Sequence, residues 1–259
     1  VTRPFVDGDH VLLVDRKKRR YMLRLKAGGE FHTHAGVLPH DDIIGAPEGA
    51  ELKSTRNATF LAVRPTFSEI VLKMPRGAQV IYPKDLGPIL MIADIFPGAR
   101  VLESGIGSGA LSMTMLRAGA VITGYELRED FAARAKANVA AYAGEEALSR
   151  YDVHIRDAYE GIDETDLDRV VLDLPEPWQV VPHAARALHP GGIIVAYTPS
   201  ITQAVQFREA LEPNGFGMAE TMEVLQRGWY IEGQAVRPDH RMVAHTGFLS
   251  HARLLQRPE

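Results

Sequence analysis

Between Val101 and Ala110 the chain reads Val-Leu-Glu-Ser-Gly-Ile-Gly-Ser-Gly-Ala: a short apolar run, an acid, then three glycines at alternate positions ahead of a helical pattern. Gly105, Gly107 and Gly109 let a strand reverse sharply into a helix while the backbone comes closer to a ligand than a side chain would allow. The first turn of that helix offers N–H donors with no partner inside the helix. A turn of this kind needs a strand in front and a helix behind, which commits this part of the chain to an α/β fold with a nucleotide-cradling loop.

A second acid, Glu126, closes Ala120-Val121-Ile122-Thr123-Gly124-Tyr125, where a neighbouring parallel strand would set a carboxylate against a ribose. The glycines alone leave the ligand open, because Gly105-x-Gly107-x-x-Ala110 also fits the dinucleotide fingerprint. Glu103 tilts the choice. It completes E-x-G-x-G-x-G, which resembles motif I of the class I methyltransferases that use S-adenosylmethionine. A carboxylate repels a pyrophosphate beside it but attracts a sulfonium and an ammonium group. A dinucleotide, or a turn that binds nothing, remain the alternatives at this point.

With 259 residues and an apolar fraction of 46%, the chain can bury the core of one ordinary α/β domain plus a small appendage. The absence of cysteine excludes disulfides, thiolate metal sites and cysteine nucleophiles. No apolar run reaches bilayer-spanning length, and Asp7 and Asp9 stand where a signal peptide would be apolar. The expectation is a cytoplasmic protein with no membrane partner. The net charge of −4 conceals a split: residues 1–90 hold 14 Lys+Arg against 10 Asp+Glu (net +4), and residues 91–259 hold 15 against 23 (net −8). The N-terminal part is the basic one, an asymmetry that is also common in proteins that bind no polyanion.

From residue 98 onward, strand and helix patterns alternate as in a parallel sheet covered on both faces. Strands are expected near 99–103, 120–126, 151–156, 168–173 and 192–198, and helices near 109–118, 128–142, 178–188 and 201–212, the third closed by His189-Pro190-Gly191-Gly192. Residues 217–224 and 245–253 read as two more strands, joined by an excursion from Trp229 to Val243. Before residue 70, turn signals at Asp7-Gly8-Asp9, Ala27-Gly28-Gly29 and Pro47-Glu48-Gly49 separate short strand-like pieces. The expected organisation is a small β-rich domain over 1–70, a linking helical segment over 71–97, and a Rossmann-like domain over 98–259.

The second informative stretch is Val170-Val171-Leu172-Asp173-Leu174-Pro175-Glu176-Pro177-Trp178, a buried-strand run ending in a carboxylate and a stiff, proline-bracketed turn. It puts Asp173 at the carboxyl end of the fourth strand, the edge where open α/β sheets bind ligands. The plainer reading of Asp173 is a helix cap or turn acid. Taken with E-S-G-I-G-S-G-A-L and with R-G-x-Q-x-I-Y-P-K-D from Arg76 to Asp85, this stretch resembles the tRNA adenine-58 N1-methyltransferases, their actinobacterial and thermophilic members in particular. Phe31 to Gly36, Gln226-Arg227-Gly228-Trp229 and His245-Thr246-Gly247-Phe248-Leu249 fit the same pattern, while Ala244 departs from it where glycine is expected.

The resemblance implies a class I α/β fold, with a mostly parallel seven-stranded sheet whose last strand is antiparallel, beside a small N-terminal β domain. It implies methyl transfer from S-adenosylmethionine to N1 of an adenine in the T-loop of tRNA, by a homotetramer of the bacterial and archaeal type. The chemistry follows independently: the N1 lone pair attacks the methyl carbon in line, and the ring gains positive charge unless a proton leaves N6. A carboxylate near N6 stabilises that charge. At about 4 Å and an effective dielectric near 20 the pair is worth up to about 4 kcal/mol, roughly a thousandfold in rate if realised only in the transition state. Asp173 is the candidate for this catalytic role, and also for holding the cofactor's methionine end.

For the cofactor, Glu103, Gly105, Gly107, Ser108, Gly109 and Ala110 are assigned to the turn, Glu126 to the ribose hydroxyls, and Asp157 with Ala158 to the adenine. Gln79 and Ile81 are carried over from the family pattern as a lid, and Phe131 is a further candidate whose plainer reading is a core aromatic. Arg16, Lys17, Arg19 and Arg20 are tRNA candidates, although a run of cations is often only a solvated turn; Tyr82, Arg237, His240 and Arg241 join them. No metal is expected, since the reaction needs none and His32, His34 and His40 lack acids at ligand spacing. The competing functions are methylation of another RNA, a protein carboxylate or a small molecule, an NAD-dependent oxidoreductase, and an RNA-binding module on an inactive fold.

Overall fold

The computed structural model describes residues 3–77 and 79–256, and the chain divides between Lys73 and Met74 into two compact units. The first holds β1 (His10–Asp15), β2 (Arg20–Arg24), β3 (Glu30–Thr33), β4 (Gly36–Pro39), β5 (Ala50–Lys53), β6 (Thr59–Val63) and α1 (Phe67–Lys73). An antiparallel sheet in the order β2-β1-β6-β5 is accompanied by the β3-β4 hairpin. Alternation along the strands turns Val11, Leu13, Phe60 and Ala62 inward, where they pack with Phe5, Leu25, Leu38 and Ile43. Phe31 meets Phe60 edge to face at 6.0 Å. The basic run lies in the β1–β2 turn, away from this core.

The second unit opens with α2 (Pro83–Ile92) and β7 (Arg100–Ser104), followed by α3 (Ala110–Arg117), β8 (Val121–Glu126), α4 (Glu129–Tyr142), α5 (Glu145–Leu148) and β9 (Tyr151–Ile155). Next come β10 (Leu167–Leu172), α6 (Val181–Ala187), β11 (Leu188–Thr198), α7 (Ile201–Leu211), β12 (Phe216–Glu223), a hairpin of β13 (Trp229–Glu232) and β14 (Ala235–Pro238), and β15 (Phe248–Leu254). Seven strands form one sheet in the order β12-β15-β11-β10-β7-β8-β9. The pairs from β11 through β9 are parallel. Only β15, inserted between β11 and β12, runs against its neighbours.

Helices cover both faces, which is why Val170-Val171-Leu172 is apolar throughout instead of alternating. On one face Leu102, Val170, Leu172 and Ile194 pack against Ala184 and Ala185 of α6 and against Phe207 and Leu211 of α7. The entry to α7 is fixed by a capping box between Ser200 and Gln203. Strand order reverses between β7 and β10, so their carboxyl ends open the crevice in which such sheets bind ligands.

Three segments differ in detail from the sequence reading. The stretch 71–97 is shared between the units: its first residues finish α1, and the rest belongs to the second unit with α2. His189 to Gly192 does not close a helix. Instead β11 already begins at Leu188 and slips register against β10 between Leu167 and Arg169. Gly191, at φ +86°, takes up that irregularity. The excursion 229–243 is not featureless, because Trp229 to Glu232 pairs with Ala235 to Pro238 around Gly233.

Candidate functional site

The glycine turn leaves β7 at the crevice. Gly105, Gly107 and Gly109 all sit at positive φ, +85°, +56° and +81°, a region that a side chain makes costly. Gly105 has a second constraint: a Cβ there would lie 2.1 Å from the main-chain oxygen of Asp173. The Asp173 N–H donates to the Ser104 oxygen at 2.9 Å, locking the ends of β7 and β10 together. The Gly107 N–H donates to Glu126 Oε2 at 3.1 Å and the Arg128 N–H to Oε1 at 3.1 Å. The acid at the end of β8 therefore holds the turn in shape while its remaining lone pairs face the crevice.

Glu126 borders a cavity of about 160 Å³ together with Ser104, Gly105, Arg156, Asp157, Ala158, Tyr159 and Leu174. Asp157 keeps its place by accepting the Tyr159 N–H at 2.9 Å. Arg156 pairs with Asp163. Its guanidinium lies over the Tyr125 ring at 5.4 Å, and the Tyr125 hydroxyl donates to Glu164 at 2.5 Å. Burial, reinforced by Glu164, raises the Tyr125 hydroxyl well above its ordinary range.

Beyond the loop formed by Asp173, Leu174 and Pro175 lies a second cavity, of about 240 Å³, lined by Gln79, Val80, Ile81, Tyr82, Asp173, Tyr197, Pro199 and Thr246. Asp173 faces it with no hydrogen-bond or ionic partner for its carboxylate among the described residues, and burial pushes that group up to about 7. A buried network holds the wall opposite. Lys84 Nζ donates to Asp85 Oδ1 at 2.9 Å, to the Val224 oxygen at 2.6 Å and to Thr246 Oγ1 at 2.6 Å. Thr246 in turn donates to Asp85 Oδ2 at 2.6 Å, and the Tyr197 hydroxyl donates to the Thr246 oxygen at 2.7 Å.

Beneath the turn, Glu103 is fully buried, with neither oxygen hydrogen-bonded among the described residues. Burial pushes it up to about 8, opposed by the proximity of Ser112 and reinforced by Asp173 and Glu126. The Ser108 hydroxyl is likewise buried and without a partner among the described residues, while the Ser108 oxygen accepts from Asn138 Nδ2 at 2.9 Å. Ala110 begins α3. Phe131 lines neither cavity: it packs under the Arg128 guanidinium, 3.8 Å from its ring centre, and against Gly77.

The structure thus gathers Gln79, Ile81, Tyr82, Gly105, Glu126, Asp157, Ala158 and Asp173 around two cavities. Tyr197, Pro199, Thr246, Arg156 and Tyr159 join them, although the sequence reading assigned them no role. The signal for Thr246 was its place in the His245-Thr246-Gly247 motif; Tyr197 offered none beyond lying near a strand end. Of the basic candidates, Arg19 is paired with Asp15 at 2.6 Å and Arg20 with Glu69 at 2.9 Å. Arg16 and Lys17 are exposed beside a depression that also includes His34 and Asn57. Arg237 stacks over Tyr230 at 4.6 Å, and His240 and Arg241 are exposed between β14 and β15. Among the described residues no His, Asp or Glu cluster is arranged to hold a metal, and no helix is long and apolar enough to cross a membrane.

Residues 59–236 match the family described as tRNA methyltransferase complex GCD14 subunit, and residues 4–50 match the TrmI-like N-terminal family. The chain belongs to the first of these families. It is 37% identical over 242 residues to the tRNA (adenine(58)-N(1))-methyltransferase TrmI of Thermus thermophilus, covering 92% of this chain and 94% of that one. A Methanocaldococcus jannaschii relative, described as tRNA (adenine(57)-N(1)/adenine(58)-N(1))-methyltransferase TrmI, is 38% identical over 274 residues, with 95% of each chain covered. The crystal structure of tRNA (m1A58) methyltransferase TrmI from Aquifex aeolicus superimposes with a TM-score of 0.86 at 28% identity, covering 98% of this chain and all of that one. A SAM-dependent O-methyltransferase from Thermotoga maritima gives 0.93 at 29% identity over 98% and 96%. Both solved structures thus share the fold of this chain.

Proposed function

We propose that this chain transfers the methyl group of S-adenosylmethionine to N1 of adenine 58 in the T-loop of tRNA. The observation that carries the reading is the pair of cavities on either side of the Asp173–Pro175 loop, one bordered by Glu126 and Asp157, the other by Asp173 and two tyrosines. The residues suit the cofactor: Glu103 leaves two buried carboxylate oxygens without a partner, and the close approach at Gly105 excludes any side chain from the turn. When bound, S-adenosylmethionine supplies an electrophilic methyl group on a sulfonium.

Glu126, already fixed by two backbone donors, accepts hydrogen bonds from the ribose hydroxyls, and Asp157 accepts one from the adenine amino group. Gln79 and Ile81 cover the reacting region and exclude water from it. Tyr82 and Tyr197 offer aromatic surface for the target base, which has to leave its stack for N1 to be reached. Asp173 accepts a hydrogen bond from N6 and offsets the positive charge that grows on the ring as N1 forms its new bond.

Arg16 and Lys17, with Arg237, His240 and Arg241, are the cations we assign to the tRNA backbone. A homotetramer is the assembly we infer, supported by the resemblance and by the exposed Trp229, Ile231 and Val236 on the β13–β14 hairpin; light scattering tests it. The cytoplasm, where tRNA is matured, is the location this substrate implies. The deciding experiment incubates unmodified tRNA transcript with methyl-labelled S-adenosylmethionine and digests the product to nucleosides. Label in N1-methyladenosine, lost when adenine 58 is replaced by guanine, is the expected result; label on an oxygen or on protein refutes the assignment.

A further inference from the structure

His245 stands between two acceptors. Its Nδ1 lies 2.7 Å from Glu223 Oε1, and its Nε2 lies 2.8 Å from the main-chain oxygen of Pro199. A neutral imidazole carries one N–H and one lone pair, so it can satisfy one of these contacts while turning a lone pair on the other oxygen. Only the imidazolium, a donor at both nitrogens, satisfies the two together. The ring is half exposed and tilted against Phe248 at 5.0 Å, so packing and both acceptors fix its plane.

The three segments that meet at this ring carry the second cavity. Pro199 follows β11 and lines the cavity, Glu223 ends β12, and His245 directly precedes Thr246, another lining residue. Lys84 of α2 joins two of the same segments through the Val224 oxygen and Thr246. Pro199 also leads to the loop that separates the cavities. Beside it Ser200 caps α7 with Gln203, and Gln203 Nε2 donates to the Pro175 oxygen at 2.8 Å.

We propose that His245 is a positioning residue, an imidazolium clasp that sets Pro199 and Thr246 where the wall of the second cavity seats the target base, and that loss of its ring proton releases Pro199 and bounds the reaction on the alkaline side. The proposal rests on the methyltransferase reading above.

Pro199 is the contact that fails, because a carboxylate holds the remaining N–H more strongly than a carbonyl does. Two charged groups act on the ring from neighbouring elements: Glu223 of β12 favours the cation, and Lys84 of α2 opposes it. The hydrogen bonds to Glu223 and then to Pro199 outweigh partial desolvation and Lys84, and hold the ring above the ordinary histidine value of about 6.5. The clasp is therefore complete below that ordinary value and is lost as pH rises through the raised one. Burial pushes the Tyr197 hydroxyl up to about 12, so this neighbour on the wall keeps its proton throughout.

The test is single-turnover methylation of a tRNA transcript by the full chain from about pH 7 to about pH 9.5, beside NMR of the histidine rings over the same range. Expected is a wild-type rate that falls about tenfold with rising pH, its midpoint coinciding with the pH at which the His245 ring gives up one of two N–H protons. His245→Gln, which keeps a donor on one side only, should turn over at neutral pH as slowly as the wild type does at the alkaline end, with tRNA and S-adenosylmethionine affinities unchanged; a merely structural loss would lower those affinities too. His245→Arg, cationic throughout the range, should restore the rate and remove the alkaline fall. A ring with a single N–H at about pH 6.5, a level wild-type profile, a His245→Gln chain as fast as wild type, or an alkaline fall that persists in His245→Arg overturns the proposal and leaves the methyltransferase reading intact. Should a variant fail to fold, agreement or disagreement of the ring and rate midpoints in the wild type decides. Absence of methyl transfer to tRNA at every pH overturns both.

Discussion

Replacing Gly105 by alanine is the sharpest perturbation the crevice allows. The added Cβ would stand 2.1 Å from the Asp173 carbonyl oxygen and 2.8 Å from its carbon. Both are main-chain atoms, so no rotamer change relieves the overlap, and the ends of β7 and β10 have to part by about 1 Å. Parting them stretches the 2.9 Å bond from the Asp173 N–H to Ser104, a loss of about 1 kcal/mol, and alanine at φ +85° adds roughly 1–2 kcal/mol of strain. The expected destabilisation is about 2–4 kcal/mol. Because the displaced residue is Asp173, turnover should fall about a hundredfold as well. Gly109→Ala calibrates the result: its Cβ meets Ala135 at 3.2 Å, so a small shift suffices and the backbone strain remains the main cost. Urea unfolding followed by fluorescence and single-turnover methylation of a tRNA transcript measure the series. If Gly105→Ala is no less stable than Gly109→Ala, or turns over within a few-fold of wild type, the close apposition of β7 and β10 is not what shapes the site.

Glu126→Ala should weaken S-adenosylmethionine binding about 10- to 100-fold, since a charged acceptor is lost and the Gly107 and Arg128 amides are released with it; calorimetry reads this directly. Asp173→Asn should lower single-turnover rates by up to about a thousandfold. In the wild type, kcat/KM should fall as pH drops below about 7, because the carboxylate that the reaction needs is protonated there; a profile flat to pH 5.5 contradicts this. Arg16→Gln with Lys17→Gln should weaken tRNA binding and reduce its salt slope by up to about two ions, with S-adenosylmethionine affinity unchanged. Lys84→Met should cost about 3–5 kcal/mol, because it strands the fully buried Asp85 carboxylate; thermal melting checks it.

Much of the crevice was legible because its parts are contiguous in sequence. Three glycines with positive φ, the acid at the end of β8 and the acid at the end of β10 each announce themselves within about ten residues. Thr246 and Asp85 were not legible as partners: they are 161 residues apart, and only the insertion of β15 and the packing around it bring them together. Phe131 shows the opposite case. Its nearness to Glu126 in sequence suggested the cofactor, but the first turn of α4 carries its ring toward Gly77. The basic run likewise read as uniform charge, while the fold pairs Arg19 and Arg20 with Asp15 and Glu69 and leaves Arg16 and Lys17 exposed.

The insertion of β15 also sets a timetable. A growing chain delivers β11 and β12 before the strand that must lie between them, so for the time needed to add about thirty residues each carries an unpaired edge with open hydrogen-bonding groups. Such edges invite pairing with another chain. The same delay means that the Glu126 cavity is built entirely from residues made earlier, whereas the Tyr197 wall waits for Thr246. A ribosome-bound chain stalled before residue 246 would thus already have every residue of the Glu126 cavity, but the Tyr197 wall of the second cavity would be unfinished.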